Sequence, residues 1–173
     1  QRHPERQFHA QGLAELREAI AHHIAYARGV HCSAADILVC NGAQQALDLS
    51  VEYAKTRTQF GRPIGSFQLI QKHIVDMTVR VEAARALGMR AAHALQRGGH
   101  ARMECSIAKL YATETAHEVA SMALQVHGGL GYSTDYPIER IFRDTRGGMI
   151  PEGTTEIQTL IVGREILGMS AIV

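Results

Sequence analysis

Apolar residues recur at three- and four-residue steps along most of this chain, the period of helices with one buried side. Between Gly12 and Gly29 they are Leu13, Leu16, Ile20, Ile24 and Ala27, and Gly29 suits a helix stop. Ala46, Leu49, Val51 and Tyr53 give an apolar side to a second helix, running from Gly42 through about Thr56 with Asn41 as its cap. The longest pattern is Phe67, Ile70, Ile74, Met77, Val81, Ala84, Gly88, Ala91 and Leu95. It reads as a bundle seam whose late small residues allow close approach, ended by Gly98-Gly99. A further helix, from about Ala101 to His127, is expected to bury Met103, Ile107, Leu110, Val119, Met122 and Val126. The last begins near Thr154 and carries Ile157, Leu160, Ile161 and Leu167.

The stretches between these runs are short. Gln59 to Gly65 holds Gly61, Pro63 and Gly65 and reads as a loop. Gly128 to Gly148 reads as mostly loop, with a short helix at Pro137 to Asp144. Ser33 to Asp36 suits a turn. The apolar run Ile37 to Cys40 could be a strand, but no partner strand is evident, so residues 30–41 are not assigned. Residues 1–10 are polar, carry Pro4 and are expected to fray. Four main helices after residue 41, joined by short links, predict antiparallel neighbours. The expected fold class is all-α: an up-and-down four-helix bundle with an extra N-terminal helix.

Composition narrows the function classes. The chain has 173 residues, enough for one domain with a core, and 46% are hydrophobic. With 18 basic and 17 acidic residues the net charge is +1, so neither nucleic acid nor a membrane surface is expected as a partner. No run is long and apolar enough to cross a bilayer, and none has the form of a signal peptide. Three scattered cysteines, Cys32, Cys40 and Cys105, suggest free thiols in a reducing cytoplasm. Ten histidines invite a metal reading. His22-His23 face different sides of a helix, and His93, His100 and His117 lack a partner at i+4, so no metal site is expected.

Two segments stand out as motifs. One is Val51-Glu52-Tyr53-Ala54-Lys55-Thr56-Arg57-Thr58-Gln59-Phe60-Gly61-Arg62-Pro63-Ile64. The other runs from Gln125-Val126-His127-Gly128-Gly129-Leu130-Gly131-Tyr132 through Arg143-Asp144 to Pro151-Glu152-Gly153-Thr154-Thr155-Glu156-Ile157-Gln158. In this order and spacing they resemble the C-terminal helical domain of acyl-CoA dehydrogenases, over about residues 42–173. The resemblance implies FAD as cofactor and α,β-dehydrogenation of an acyl-CoA as the ancestral reaction. It implies that Glu152 is the base that removes the α-proton. A carboxylate suits that task if burial raises its pKa when substrate excludes water. On its surroundings alone, Glu152 reads instead as an exposed loop residue ahead of a helix dipole.

The resemblance also implies cofactor contacts. Arg57, Thr58, Gln59 and Phe60 match a segment that touches the FAD diphosphate and adenine, usually from a neighbouring subunit. Gln68 matches a further contact. Gln125, Val126, His127, Gly128 and Gly129 match an adenosine-side loop, and Thr154, Thr155 and Glu156 match a contact at a helix start. Arg57 brings a permanent planar cation suited to phosphate. Pro151 departs from relatives that carry an aromatic residue there, which bears on acyl-chain fit. Family enzymes hold the flavin ring against an N-terminal helical domain and a middle β-domain, whose patterns are missing from this sequence. A folded helical homodimer or homotetramer with little or no catalysis is therefore expected; the alternatives are a weak FAD- or nucleotide-binding module, or an active acyl-CoA dehydrogenase whose flavin site is completed across subunits. Acyl-CoA would be a partner only if the site is completed.

The head resembles another family. Gln11 to Ile20 and Ile37 to Leu49 are similar to the aminotransferase-like domains of fold-type I pyridoxal-phosphate enzymes. The two likenesses overlap at Ala46-Leu47-Asp48, so the chain looks like a chimera, with residues 1–41 as a segment that is not an independent domain and 42–173 as the bundle. The alternative is one natural chain whose head mimics the second family. Lys55, Lys72 and Lys109 match no Schiff-base motif, so no pyridoxal phosphate is expected and Gly42, Ala43 and Gln44 read as a helix opening.

Overall fold

In a computed structural model of the protein, residues 42–97 and 101–171 are described. The helix read over Gly12–Gly29, the run Ile37–Cys40, the cap Asn41 and the Gly98-Gly99 stop lie outside the described residues. The chain divides into two units, Gln1–Asn41 and Gly42–Val173, and the described residues all belong to the second.

Six α-helices occur among the described residues: α1 (Gly42–Thr56), α2 (Gln68–Gln96), α3 (Arg102–His127), α4 (Gly129–Tyr132), α5 (Ile138–Gly147) and α6 (Thr155–Leu167). A two-stranded hairpin, β1 (Thr58–Gln59) and β2 (Arg62–Pro63), and a 3-10 turn at Ile64–Ser66 join α1 to α2. The all-α expectation holds. Cross-helix contacts give the directions: Arg80 pairs with Glu118 at 2.9 Å and Arg90 lies 4.0 Å from Glu104, so α2 and α3 run antiparallel. Arg85 donates to the Gln44 side chain at 2.8 Å, tying the start of α1 to the later half of α2.

The core forms where α1, α2, α3 and α5 converge. Met77, Val119 and Ile138 are fully buried, with Ala46, Ala120 and Ala123 between them. Small residues let the helices approach: a side chain on Gly42 would sit 2.8 Å from the Thr145 methyl of α5. Gly42 is thus a packing contact between α1 and α5 as well as a helix opening.

Three local expectations need correction. Gly128 to Gly148 is mostly helix, because Ile138, Ile141, Phe142 and Thr145 form an i, i+3, i+4, i+7 stripe that packs into the core. Gln59 to Gly65 contains the hairpin, whose turn residues Phe60 (φ 51°) and Gly61 (φ 78°) both have positive φ, as a two-residue primed turn requires. In α2, Met77, Val81 and Ala91 are buried and Phe67, Ile70, Ile74 and Ala84 are half-buried, but Gly88 and Leu95 are exposed. Nothing lies within 4 Å of where a Gly88 side chain would begin, so that glycine makes no close helix contact.

An aromatic cluster closes the end of the bundle where α1 and α3 finish. The His127 ring stacks on Tyr53 at 4.3 Å, and Tyr136 meets both rings at 5.6 Å. His127 Nδ1 lies 2.8 Å from the Ala123 carbonyl, so Nδ1–H donates; buried Nε2 has no hydrogen-bond partner among the described residues. Burial pushes the imidazole pKa below its ordinary 6.5, against a smaller upward pull from the Ala123 carbonyl.

Met77→Ala is expected to lower unfolding stability by about 2–5 kcal/mol, read from urea melts, because it opens a cavity in a closed site. The His127 effect has a definite sign. Below 6.5 the unfolded chain takes up a proton that the folded ring resists, so His127 costs stability as pH falls from there through its lower folded value. The melt midpoint is expected to drop between pH 7 and 5. In His127→Phe, which keeps an aromatic ring and removes the titrating nitrogens, that drop should be smaller.

Candidate functional site

The chain between α5 and α6 turns tightly and turns its carbonyls inward. Ile150 N–H donates to the Gly147 carbonyl at 3.2 Å and Thr155 N–H to the Met149 carbonyl at 3.1 Å, which closes the loop. At its tip Glu152 has φ 56° and Gly153 has φ 92°, both left-handed. For glutamate this is an uncommon backbone state that the surroundings must hold. Lys109 of α3 supplies the hold: its Nζ donates to the carbonyls of Pro151 at 2.6 Å, Glu152 at 2.8 Å and Gly153 at 2.5 Å. An ammonium has three donors, and all three are used.

Gln158 of α6, buried, directs its Nε2 at the Glu152 and Gly153 carbonyls at 3.4 and 3.3 Å. A side chain on Gly153 would come within 2.6 Å of that nitrogen and push the Gln158 amide aside, and the positive φ itself favours glycine there. Thr154 caps α6, its hydroxyl accepting from Ile157 N–H at 3.4 Å. The Thr154 hydroxyl beside Glu156 also holds that exposed carboxyl below its ordinary pKa. Thr155 Oγ1 is buried with no hydrogen-bond partner among the described residues. The Glu152 carboxylate is exposed and makes no side-chain hydrogen bond or ion pair among the described residues.

The remaining candidates gather elsewhere. Arg57 follows α1 directly; its N–H donates to Tyr53 and its carbonyl accepts from Ile64 N–H, each at 2.8 Å. Its guanidinium is exposed, with no carboxylate partner among the described residues. Thr58 and Gln59 form β1, Phe60 stands at the hairpin tip 91% exposed, and Gln68 opens α2. At the end of α3, Gln125 is exposed, whereas Val126 and His127 are buried in the core. Val126 and His127 thus present almost no surface to a ligand, which leaves Gln125, Gly128 and Gly129 exposed at this turn. Gly128 has φ 60° and ψ −140°, and no atom lies within 4 Å of where its side chain would begin. Because Tyr53 stacks on His127, the Arg57 hairpin and the Gly128-Gly129 turn occupy one end of the bundle.

The candidates therefore form two groups. Glu152, Thr154, Thr155 and Glu156 sit at the level of Lys109; Arg57, Thr58, Gln59, Gln125, Gly128 and Gly129 sit at the level of His127. Lys109 and His127 are about five turns apart on α3, about 27 Å along its axis. The second group suits a dinucleotide: a permanent cation, amide donors, an open glycine backbone and no acidic residue in Thr58–Pro63. Lys109 and Gln158 were not among the expected site residues. A signal for Lys109 exists, since no carboxylate lies three or four residues from it on α3, and a half-buried ammonium must then find acceptors elsewhere.

Comparison with known proteins identifies the family. The profile of the family described as "Acyl-CoA dehydrogenase, C-terminal domain" matches residues 18–167. An acryloyl-CoA reductase (NADH) of Anaerotignum propionicum is 46% identical over 125 residues, covering 72% of this chain and 32% of that protein. The structure of butyryl-CoA dehydrogenase from Megasphaera elsdenii superposes with a TM-score of 0.72 at 41% identity, covering 73% of this chain and 33% of that one. An FAD complex of PigA superposes with a TM-score of 0.69 at 32% identity, covering 72% and 33%. The chain spans about a third of the length of these relatives. By this match and the shared fold, the chain belongs to the acyl-CoA dehydrogenase C-terminal domain family.

Proposed function

We propose that the bundle contributes the base and the adenine-side cofactor contacts of an FAD-dependent acyl-CoA oxidoreductase. One observation carries this reading: the loop that presents Glu152 is built for the purpose, with its left-handed backbone held by two side chains from two helices. The Glu152 carboxylate takes the α-proton of the acyl thioester. FAD, if held there, would supply the hydride acceptor for the β-carbon, the chemistry that leaves a double bond in the acyl chain. Arg57, Thr58, Gln59 and Gln68 bind the diphosphate and adenine, with Phe60 beside them. Gln125 and the exposed turn at Gly128 and Gly129 meet the adenosine. The start of α6, with Thr154, Thr155 and Glu156, lies beside the same site as the base.

The separation of the two groups along α3 supports completion across subunits, each protomer giving Glu152 to one site and Arg57 to its neighbour's. Taken alone, the described bundle holds no wall for the flavin ring, and we read it as a helical homo-oligomer with little or no turnover. Its free surface supports self-association. Val75, Val79, Ala86 and Met89 share an exposed face of α2, and α6 contacts α3 while leaving Ile166 and Leu167 in solvent. An apolar groove of about 290 Å³ between α1 and α2, lined by Val51, Ala54, Ile74 and Val75, adjoins that face. Among the described residues no helix is long and apolar enough to cross a membrane.

The likeness of the head to aminotransferase-like domains remains a proposal of chimeric origin. It rests on sequence resemblance alone, while the family match begins at residue 18, inside that head.

FAD titrated into the purified protein is expected to show a shifted flavin spectrum that Arg57→Ala weakens. Where adding an acyl-CoA bleaches that spectrum, Glu152→Gln should slow bleaching about 100-fold or more while leaving flavin binding intact. A wild-type rate in Glu152→Gln would remove the base assignment. Val79→Asp is expected to shift the protein to a smaller species by light scattering while the helical circular dichroism of the bundle is unchanged.

A further inference from the structure

We infer that Lys109 is a positioning residue for Glu152: its ammonium, with the Gln158 amide, gathers the carbonyls of residues 151–153 and so sets where the base points. The inference rests on the reading of Glu152 as the base, but its physical content is independent of turnover.

Consider what the loop would do without Lys109. Three main-chain carbonyls converge on one nitrogen within 2.8 Å. Like dipoles aimed at one point repel unless a cation sits there. Gln158 reaches two of them, at 3.3 and 3.4 Å, too far and too weakly charged to replace the ammonium. The Glu152 backbone at φ 56° is intrinsically unfavourable for a residue with a side chain, so it relaxes once the hold is removed. Relaxation swings the Cα–Cβ bond and moves the carboxylate. Arginine cannot substitute, because a planar fork aims its donors apart whereas these acceptors converge. Among the described residues the Lys109 ammonium hydrogen-bonds only to backbone carbonyls. It therefore acts through Glu152, without needing to touch a substrate.

Two measurements on the purified protein decide the matter. In the unaltered protein, the Lys109 ammonium is expected to show NMR hydrogen-bond couplings to the carbonyl carbons of Pro151, Glu152 and Gly153. A freely rotating ammonium without them would overturn the inference even if every variant misfolds. In Lys109→Met and Lys109→Arg, the backbone shifts of Glu152 should leave the left-handed range while those of Val119 and Ile138 in the core stay put. A Glu152 that keeps its φ in both variants also overturns it. Where flavin reduction by acyl-CoA is measurable, Lys109→Met should lower kcat by about 10²-fold at unchanged KM. Combined with Glu152→Gln it should add nothing further. An unchanged kcat with a displaced Glu152 would end the positioning role. Normal turnover in Glu152→Gln would instead end the base reading and leave the backbone measurement to judge the clamp.

Discussion

The burial of α3 is the constraint on which the rest of the bundle depends. It meets each of the other five helices among the described residues, so its surface is covered on several sides. Such a helix needs small residues on several sides, and Ser106, Ala120 and Ala123 are buried along its length. Val119 and Val126 supply bulk where the neighbours leave room. Both candidate groups are referenced to this helix, one through Lys109 and one through His127. A tilt of α3 would move them together.

The periodic signal carried the long helices because each has a continuous apolar stripe, and the bounds of α1 and α3 were legible in the sequence. It misled where burial is not continuous. The seam of α2 runs on to Leu95, yet Gly88 and Leu95 stand in solvent, since periodicity reports a face and says nothing of whether a neighbour extends alongside it. α5 was under-read as a short helix in a loop because its charged residues dominate, while four positions, Ile138, Ile141, Phe142 and Thr145, carry its packing. His127 sat in a motif read as a ligand loop, but its ring turns into the core to stack on Tyr53. Which way a residue in a helix's last turn points is decided by tertiary neighbours, and no local pattern encodes it.

The site loop divides in the same manner. Glu152, Gly153 and Thr154 were legible as a motif, and Thr154 does cap α6. The means of holding that motif was not, because Lys109 and Gln158 bind carbonyls, which every residue has. A contact to the main chain leaves no trace in the sequence of the segment contacted. Its trace lies in the partner: a cation and an amide on helices, without local acceptors for the cation.

Recognition through carbonyls alone has a consequence for how this loop can change. The clamp is blind to the side chains at 151 and 152, whereas position 153 favours glycine. Pro151 can be exchanged for other side chains that keep the backbone path, and the residue at 152 for another acid or amide, without loss of a clamp contact. The scaffold thus separates the variables that selection acts on: chain fit and acid strength can drift at two adjacent positions while the geometry is inherited from Lys109, Gly153 and Gln158.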